Sequence, residues 1–419
     1  MAGLGFCRAE KGAAAPAPSA SSVELPRYAV TKERLEAMPP EQRAAWQGYM
    51  ERSQEAATLL EKALLEEVKA AGLAEALPAP DGGDFSTDAD PGEPWYGTPE
   101  AAVLASVILS WQCPVGGWSK HLGYSKGPRK PAMQWTSQSK PGTPPHYLAT
   151  IDNGATTEEI LLLAAVWEKT GREDCRQGVL RGLDYLFAAQ YPNGGWPQTW
   201  PLEGGYHDNI TCNDDAMTRV LELLYQLQQR KPWFACVDEP HRAKALQSLA
   251  AGTRCLLAAQ HRQGGVLTGW CAQFDPLTLA PAGARLKEPA ALGGPETSSI
   301  LKFLMRDQQP DAERKAAIEA GLTWLEQVKI SHLREDRKDG RKVYIEDPAC
   351  QDVLWARFYD LSTNKPLFAG GQDGIIYETY AAMVQKNKAG YDFYTGRPLS
   401  VLTTGQKKWR RMLSKIEAQ

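Results

Sequence analysis

Four short runs ending in glutamine recur along this chain at nearly constant spacing. VILSWQ ends at Gln112, GLDYLFAAQ at Gln190, AGTRCLLAAQ at Gln260 and AGLTWLEQ at Gln327, at intervals of 78, 70 and 67 residues. Repetition at a fixed period marks units that cannot bury their apolar faces alone and must stack on their neighbours. The first three copies are each followed by a Gly-Gly pair: Gly116-Gly117-Trp118, Gly194-Gly195-Trp196 and Gly264-Gly265. Each copy therefore reads as a helix, a tight turn at Gly-Gly and a loop into the next helices. Helix starts agree with this. Thr98-Pro99 supplies a cap and a first-turn proline, and Thr156 with Glu159 predicts a capping box before ILLLAAVW. No long run alternates with period two. The expectation is an all-α protein, an α/α toroid or incomplete α/α barrel of repeated helix pairs, with short strands and long functional loops at one end.

At 419 residues the chain is long enough for one or two domains with sizeable cores. The boundaries read as a signal remnant or flexible tether over 1–22, a helical extension and linker over 23–94, and the toroid over 95–419. MAGLGFCRA at the start resembles the end of a bacterial signal peptide, without a basic region before it. Residues 12–22 are Ala/Pro/Ser-rich. Glu41 to Leu73 is helical by pattern, with Trp46, Tyr49, Met50, Leu60, Leu64 and Val68 on one side and Gly72 placed to end it. Pro78 to Pro94 reads as a linker.

A net charge of -3 gives no overall basic field for a nucleic acid or an anionic membrane, and no run approaches the ~18 apolar residues that span a bilayer. The eight cysteines form no CxxC or zinc-spaced cluster and read as buried small apolar residues. Neither nucleic acid nor membrane is an expected partner, and a monomer is expected.

Chemistry should lie in the loops, because helix faces in a repeat are mostly core. ATIDNGATT places Asp152 and Asn153 just before a helix, and ITCNDDAM places Asn213, Asp214 and Asp215 before another. Alone, each reads as capping chemistry. Together, in successive repeats, they bring hard oxygens to one rim, which suits Ca²⁺. A long Pro/Gly-rich loop carries Arg285, Lys287 and Glu288, and a fourth loop carries Arg357, Lys365, Gln372 and Asp373. Guanidinium groups and a divalent cation on one rim fit a polymer bearing carboxylates.

The ordered set DNGATT, LDYLFAAQYPNGGWPQ, ITCNDDAM, WCAQFDPLTLAPAGARLKEP and WARFYDL resembles the family-ten pectate lyases over about Trp95 to Ser400. That resemblance implies an α/α toroid and Ca²⁺-assisted β-elimination on polygalacturonate. It implies Asp152, Asn153 and Asp214 as metal ligands and Arg285 and Arg357 as clamps on substrate carboxylates. Lys120 lies where the family also has a cation. Trp118, Trp196 and Trp200 are candidates for stacking on sugar faces. It also implies a secreted or periplasmic protein, because polymeric pectin stays outside the cytoplasm.

One departure bears on the chemistry. Where the family has a Gly-Arg-Asp-Gly turn whose arginine is taken as the base, this chain reads Ala369-Gly370-Gly371-Gln372-Asp373-Gly374. Gln has no basic site. Either Lys287, Lys120 or Arg357 supplies the base and Gln372 contacts substrate, or the protein is a non-catalytic binder of acidic polysaccharide. The Gln-x3-Gly-x-Trp pattern at Gln190 to Trp196 also fits terpenoid cyclases, but the acidic DDxxD cluster of that chemistry is absent.

Overall fold

A computed structural model describes residues 30–86, 89–139, 146–338, 341–387 and 392–417. The signal-like start and the whole Ala/Pro/Ser-rich tether over 12–22 lie outside these residues. The described helices are α1 Lys32–Glu36, α2 Pro40–Ala70, α3 Pro99–Ser110, α4 Thr157–Thr170, α5 Glu173–Ala189, α6 Ala216–Gln228, α7 Glu239–Ala258, α8 Gly294–Leu304, α9 Ala312–Gln327, α10 Tyr380–Lys386 and α11 Gln406–Glu417. Helices α4 and α5, α6 and α7, and α8 and α9 form hairpins. Helices α4, α6 and α8 neighbour one another and are buried around most of their circumference, as inner helices must be. Helices α3, α5, α7 and α9 follow one another outside them. The architecture is the helical toroid expected from the repeat.

The recurring residues explain the recurrence. Gln112 Nε2 donates to Gly116 O in its own turn (2.7 Å) and to Gly178 O in the next outer helix (2.9 Å). Gln190 Nε2 does the same to Gly194 O (2.9 Å) and Ser248 O (3.0 Å). Gln260 Nε2 bonds Thr268 O (2.7 Å) and Ala317 O (3.0 Å). Each amide thus staples one outer helix to the next. The tryptophan that follows packs inward, donating its indole N–H to its own helix: Trp118 to Ile108 O, Trp196 to Leu186 O and Trp270 to Leu256 O. A glycine on the next outer helix makes room for each ring. A Cβ at Gly182, Gly252 or Gly321 would lie 3.2, 2.7 or 2.9 Å from Cζ3 of Trp118, Trp196 or Trp270.

Three local expectations are corrected. Gly264-Gly265 is not the third repeat turn; it closes a hairpin of Arg262–Gln263 with Val266–Leu267, and Gly269-Trp270 takes the structural place. The capping box at Thr156 does not form. Thr156 has φ 66° and its hydroxyl takes the Trp118 N–H and donates to Thr150 O, while Glu159 accepts from Tyr124 Oη (2.8 Å). The segment read as a linker is docked: Leu77 bridges Met133 and Asp81 bridges Leu122. Elsewhere the reading stands. Thr98 caps α3 through the Ala101 N–H, and α2 ends before Gly72 at φ 66°. Helix α2 shares the main core, with Trp46 and Tyr49 ring centroids 5.0 and 4.9 Å from that of Tyr191.

After α9 the chain turns to short strands, the longest an antiparallel pair of Leu333–Lys338 with Arg341–Glu346. Among the described residues the seven cysteines are free and six are buried, and no helix is long and apolar enough to cross a membrane.

Candidate active site

Inner helices α4 and α6 both begin from a single 3₁₀ turn, Asp152–Gly154 and Asn213–Asp215, and the two turns pack against each other. The middle residue of each is left-handed: Asn153 at φ 52°, ψ 30° and Asp214 at φ 50°, ψ 32°. Asn and Asp adopt this region more readily than other side chains, which is why these types stand there. Asn153 and Asp214 are therefore structural equivalents, and so are Asp152 and Asn213. Each of the latter pair receives a cation. Lys120 Nζ lies 2.5 Å from Asp152 Oδ2, with both side chains mostly buried. Arg357 Nη2 donates to Asn213 Oδ1 (2.8 Å) and contacts Asp214 Oδ1 (3.3 Å).

Around these turns stands a wall of aromatic and cationic groups. Lys120 Nζ sits 3.7 Å from the Tyr147 ring centroid. Tyr147 Oη lies 3.0 Å from His207 Nε2. Burial, followed by the neighbouring His146, pulls the His207 imidazole down to about 4, so it is neutral at and above neutral pH. Arg285 is clamped by Glu288, which accepts from its Nε (2.8 Å) and from Nη2, yet its side chain remains 49% exposed. Between them on the same loop, the Lys287 stem runs past Gly371, its Cδ 3.6 Å from where a Cβ on that glycine would stand. Burial lowers the Lys287 amine below its ordinary 10.5, and the charges of Arg285 and Arg357 add to that, against Glu288 and Asp214.

Gln372 is exposed on its turn. Its backbone N–H donates to Asn387 Oδ1 (3.0 Å), and neighbouring Asp373 is held by the Tyr377 hydroxyl (2.5 Å) and the Ile375 N–H (3.0 Å). The turn is thus fixed by its neighbours, and Lys287 runs alongside it.

Trp118 and Trp196 are corrected as sugar-stacking candidates. Both are 0% exposed, with their indole N–H groups spent inside the repeat, so neither has a face for a sugar. Trp200 is buried too. Several residues of the site give no sequence signal. Asp84 comes from the docked N-terminal segment and accepts from Asn153 Nδ2 (2.8 Å), with His121 Nε2 at 2.7 Å. Arg219 pairs with Glu158 (2.7 Å) and Arg397 with Asp215 (2.5 Å). Asp84, Glu158, Asp215, Arg219 and Arg397, together with Phe85, Ser86, Asn153 and Asp214, line a cleft of about 450 Å³. Glu296, at the start of α8, is fully buried, and burial raises its carboxyl to about 7, with Arg357 opposing.

The donor set at the paired turns fits a hard cation. Asp152 Oδ1 is buried and without a hydrogen-bond partner, Asn153 makes its two amide contacts through Nδ2, and Asp214 is 42% exposed. Two carboxylates and one amide oxygen are fewer than the six to eight oxygens Ca²⁺ takes, leaving positions for water and ligand carboxylate. Among the described residues no three His, Cys, Asp or Glu side chains form a preassembled cluster.

A family model described as pectic acid lyase matches residues 112–402. A variant of the family 10 polysaccharide lyase from Cellvibrio cellulosa, solved in complex with trigalacturonic acid, aligns at a TM-score of 0.65 and 31% identity, covering 75% of this chain and 95% of that one. The family 10 polysaccharide lyase from the same organism aligns at a TM-score of 0.65 and 31% identity over 78% of this chain and 98% of its own. No curated protein matches.

Proposed function

The chain belongs to the pectic acid lyase family, and from that premise we propose that it cleaves polygalacturonate by Ca²⁺-dependent β-elimination, leaving an unsaturated uronide end. The observation that carries this reading is the convergence of Lys287, Arg285 and Arg357 with Asp214 beside the paired turns. The trigalacturonic acid bound to the similar Cellvibrio lyase is consistent with it.

The difficulty of the reaction is a weakly acidic C–H beside a carboxylate, so that carboxylate must be neutralised before the proton leaves. Arg285 and Arg357 pair with substrate carboxylates, guanidinium being suited to bidentate contact. Ca²⁺, held by Asp152, Asn153 and Asp214, supplies further charge neutralisation when bound. Lys287 takes the C5 proton. Its lowered basicity favours the neutral amine that a base must offer, and its position beside the Gly371 turn puts it next to the place where Gln372 stands. The C5–H electron pair becomes the C4=C5 bond, the C4–O4 bond breaks, and the leaving oxygen collects a proton from water. Action on a polymer that stays outside the cytoplasm places the protein in the periplasm or beyond the cell.

Gln372 motivates a second reading, a uronide-binding protein that no longer cleaves. The test is absorbance of unsaturated product from polygalacturonate at alkaline pH, with Ca²⁺ and with chelator, for the parent and for Gln372→Arg. Parent activity abolished by chelator supports the Ca²⁺-dependent lyase and leaves its base to be found among Lys287, Lys120 and Arg357. A silent parent with activity in the variant would replace it by the binding reading.

A further inference from the structure

The N-terminal segment 77–86 lies outside the stretch that the family model matches, yet it is built into the site. Its path is fixed at four points. Leu77 and Asp81 bridge to Met133 and Leu122. Gly82 passes so close to Gly123 that a Cβ would meet its Cα at 2.5 Å. Phe85 packs edge-on against Tyr124, with centroids 5.0 Å apart. Between these anchors Asp84 reaches the first paired turn. Its Oδ1 accepts from Asn153 Nδ2 at 2.8 Å and lies 2.7 Å from His121 Nε2.

An amide has two faces of opposite character, N–H donors and a carbonyl acceptor. With the NH₂ end held by a carboxylate, the Oδ1 end of Asn153 is turned the other way. An ionised Asp84 carboxylate can only accept, so it takes the NH₂ end of the amide, whereas the flipped orientation would set oxygen against oxygen. We infer that Asp84 is a positioning residue: it holds the Asn153 amide with its oxygen free to serve a cation at the paired turns. This rests on the Ca²⁺ reading above, and it extends the site to a segment that the family model does not cover. Partners that orient metal ligands in this way are worth roughly 10–100-fold in metal affinity.

The experiment is calorimetric titration of Ca²⁺ into the full chain, without substrate, for the parent, Asp84→Ala, Asp84→Asn and Phe85→Ala. Asp84→Ala is expected to weaken Ca²⁺ by about tenfold or more with an unchanged melting temperature in chelator. Asp84→Asn retains an oxygen that can accept from Asn153, so it is expected to recover much of the affinity. Unchanged affinity in Asp84→Ala overturns the positioning role alone. Equal losses in Asp84→Ala and Asp84→Asn overturn it in favour of direct coordination by Asp84, and an equal loss in Phe85→Ala overturns it in favour of general support by the segment. A parent that takes up no Ca²⁺ overturns both this role and the metal reading.

Discussion

Replacing Lys120 by methionine tests whether the first paired turn is built around buried charge. Lys120 Nζ lies 2.5 Å from Asp152 Oδ2, the side chains are only 12% and 5% exposed, and Asp152 Oδ1 has no hydrogen-bond partner. Methionine keeps an unbranched apolar stem over the Tyr147 ring and removes the charge. Asp152 is then a buried carboxylate without its counter-ion, and breaking one side of a buried pair costs about 3–5 kcal/mol. The assay is the urea midpoint in chelator at constant m-value. Asp152→Asn placed on Lys120→Met removes the orphaned charge and is expected to return most of the loss. Calcium adds a second arm. If Asp152 is a metal ligand, the cation replaces the lost lysine charge, and at about 100 times its Kd it returns about 2.7 kcal/mol. A cost below about 1 kcal/mol, the value of an exposed pair, would refute the buried-charge argument. So would a double variant no more stable than Lys120→Met.

Three further predictions concern the base and the repeat. Lys287→Met is expected to lower kcat by about 10²-fold or more, the usual range for losing a general base; an unchanged kcat would send the search for the base elsewhere. A base works when deprotonated, so kcat/KM should rise with pH and level off above the Lys287 pKa, which burial and then Arg285 hold below 10.5. Arg285→Gln removes one of the lowering charges, so the midpoint of that rise should move to higher pH, and a move to lower pH would contradict the assignment. In the repeat, Gly252→Ala sets a methyl 2.7 Å from both Trp196 Cζ3 and Leu221 Cδ2. Overpacking of about 1–3 kcal/mol should outweigh the ~1 kcal/mol gained in helix propensity, and a higher melting temperature would show that the ring yields.

The toroid was legible because its staples need particular side chains at particular places. A glutamine NH₂ can donate to its own turn and to the next outer helix at once, so Gln112, Gln190 and Gln260 recur, whereas exposed Gln327 makes no such staple. Repetition also carried a warning about the tryptophans. Trp118, Trp196 and Trp270 occupy the same place in three copies, and a contact needed in every copy belongs to the scaffold rather than to one bound sugar. The third turn was misplaced because Gly-Gly serves equally well in a two-residue hairpin, and nothing local separates the two uses. The paired turns were legible from DNG and NDD, whose residue types tolerate positive φ. Arg285 and Arg357 stood out as cations in loops too long for plain connections, and the family resemblance added their role as clamps on substrate carboxylates. Asp84 gave no signal, because its partner Asn153 lies 69 residues away and its surroundings have the composition of a linker.

The two paired turns differ by an exchange of Asp and Asn, and the exchange divides the work between their cations. In the first turn the residue facing the cation is Asp152, so Lys120 is matched by a full negative charge at 2.5 Å. Seen from a ligand, that pair is a dipole, and its field falls off quickly. In the second turn the equivalent residue is Asn213, which offers Arg357 an oxygen without a charge, while Asp214 is farther at 3.3 Å and half-exposed. The guanidinium is therefore oriented at its shortest contact by a neutral acceptor, with the Asp214 carboxylate next. The same asymmetry acts on the left-handed positions, where Asn153 is neutral and Asp214 is anionic. The first turn thus closes on a mostly buried ion pair, and the second sets a partly exposed carboxylate beside a guanidinium. A single duplicated turn, with Asp and Asn exchanged at two adjacent positions, thus pairs one cation with a full charge and the other, at its shortest contact, with a neutral oxygen.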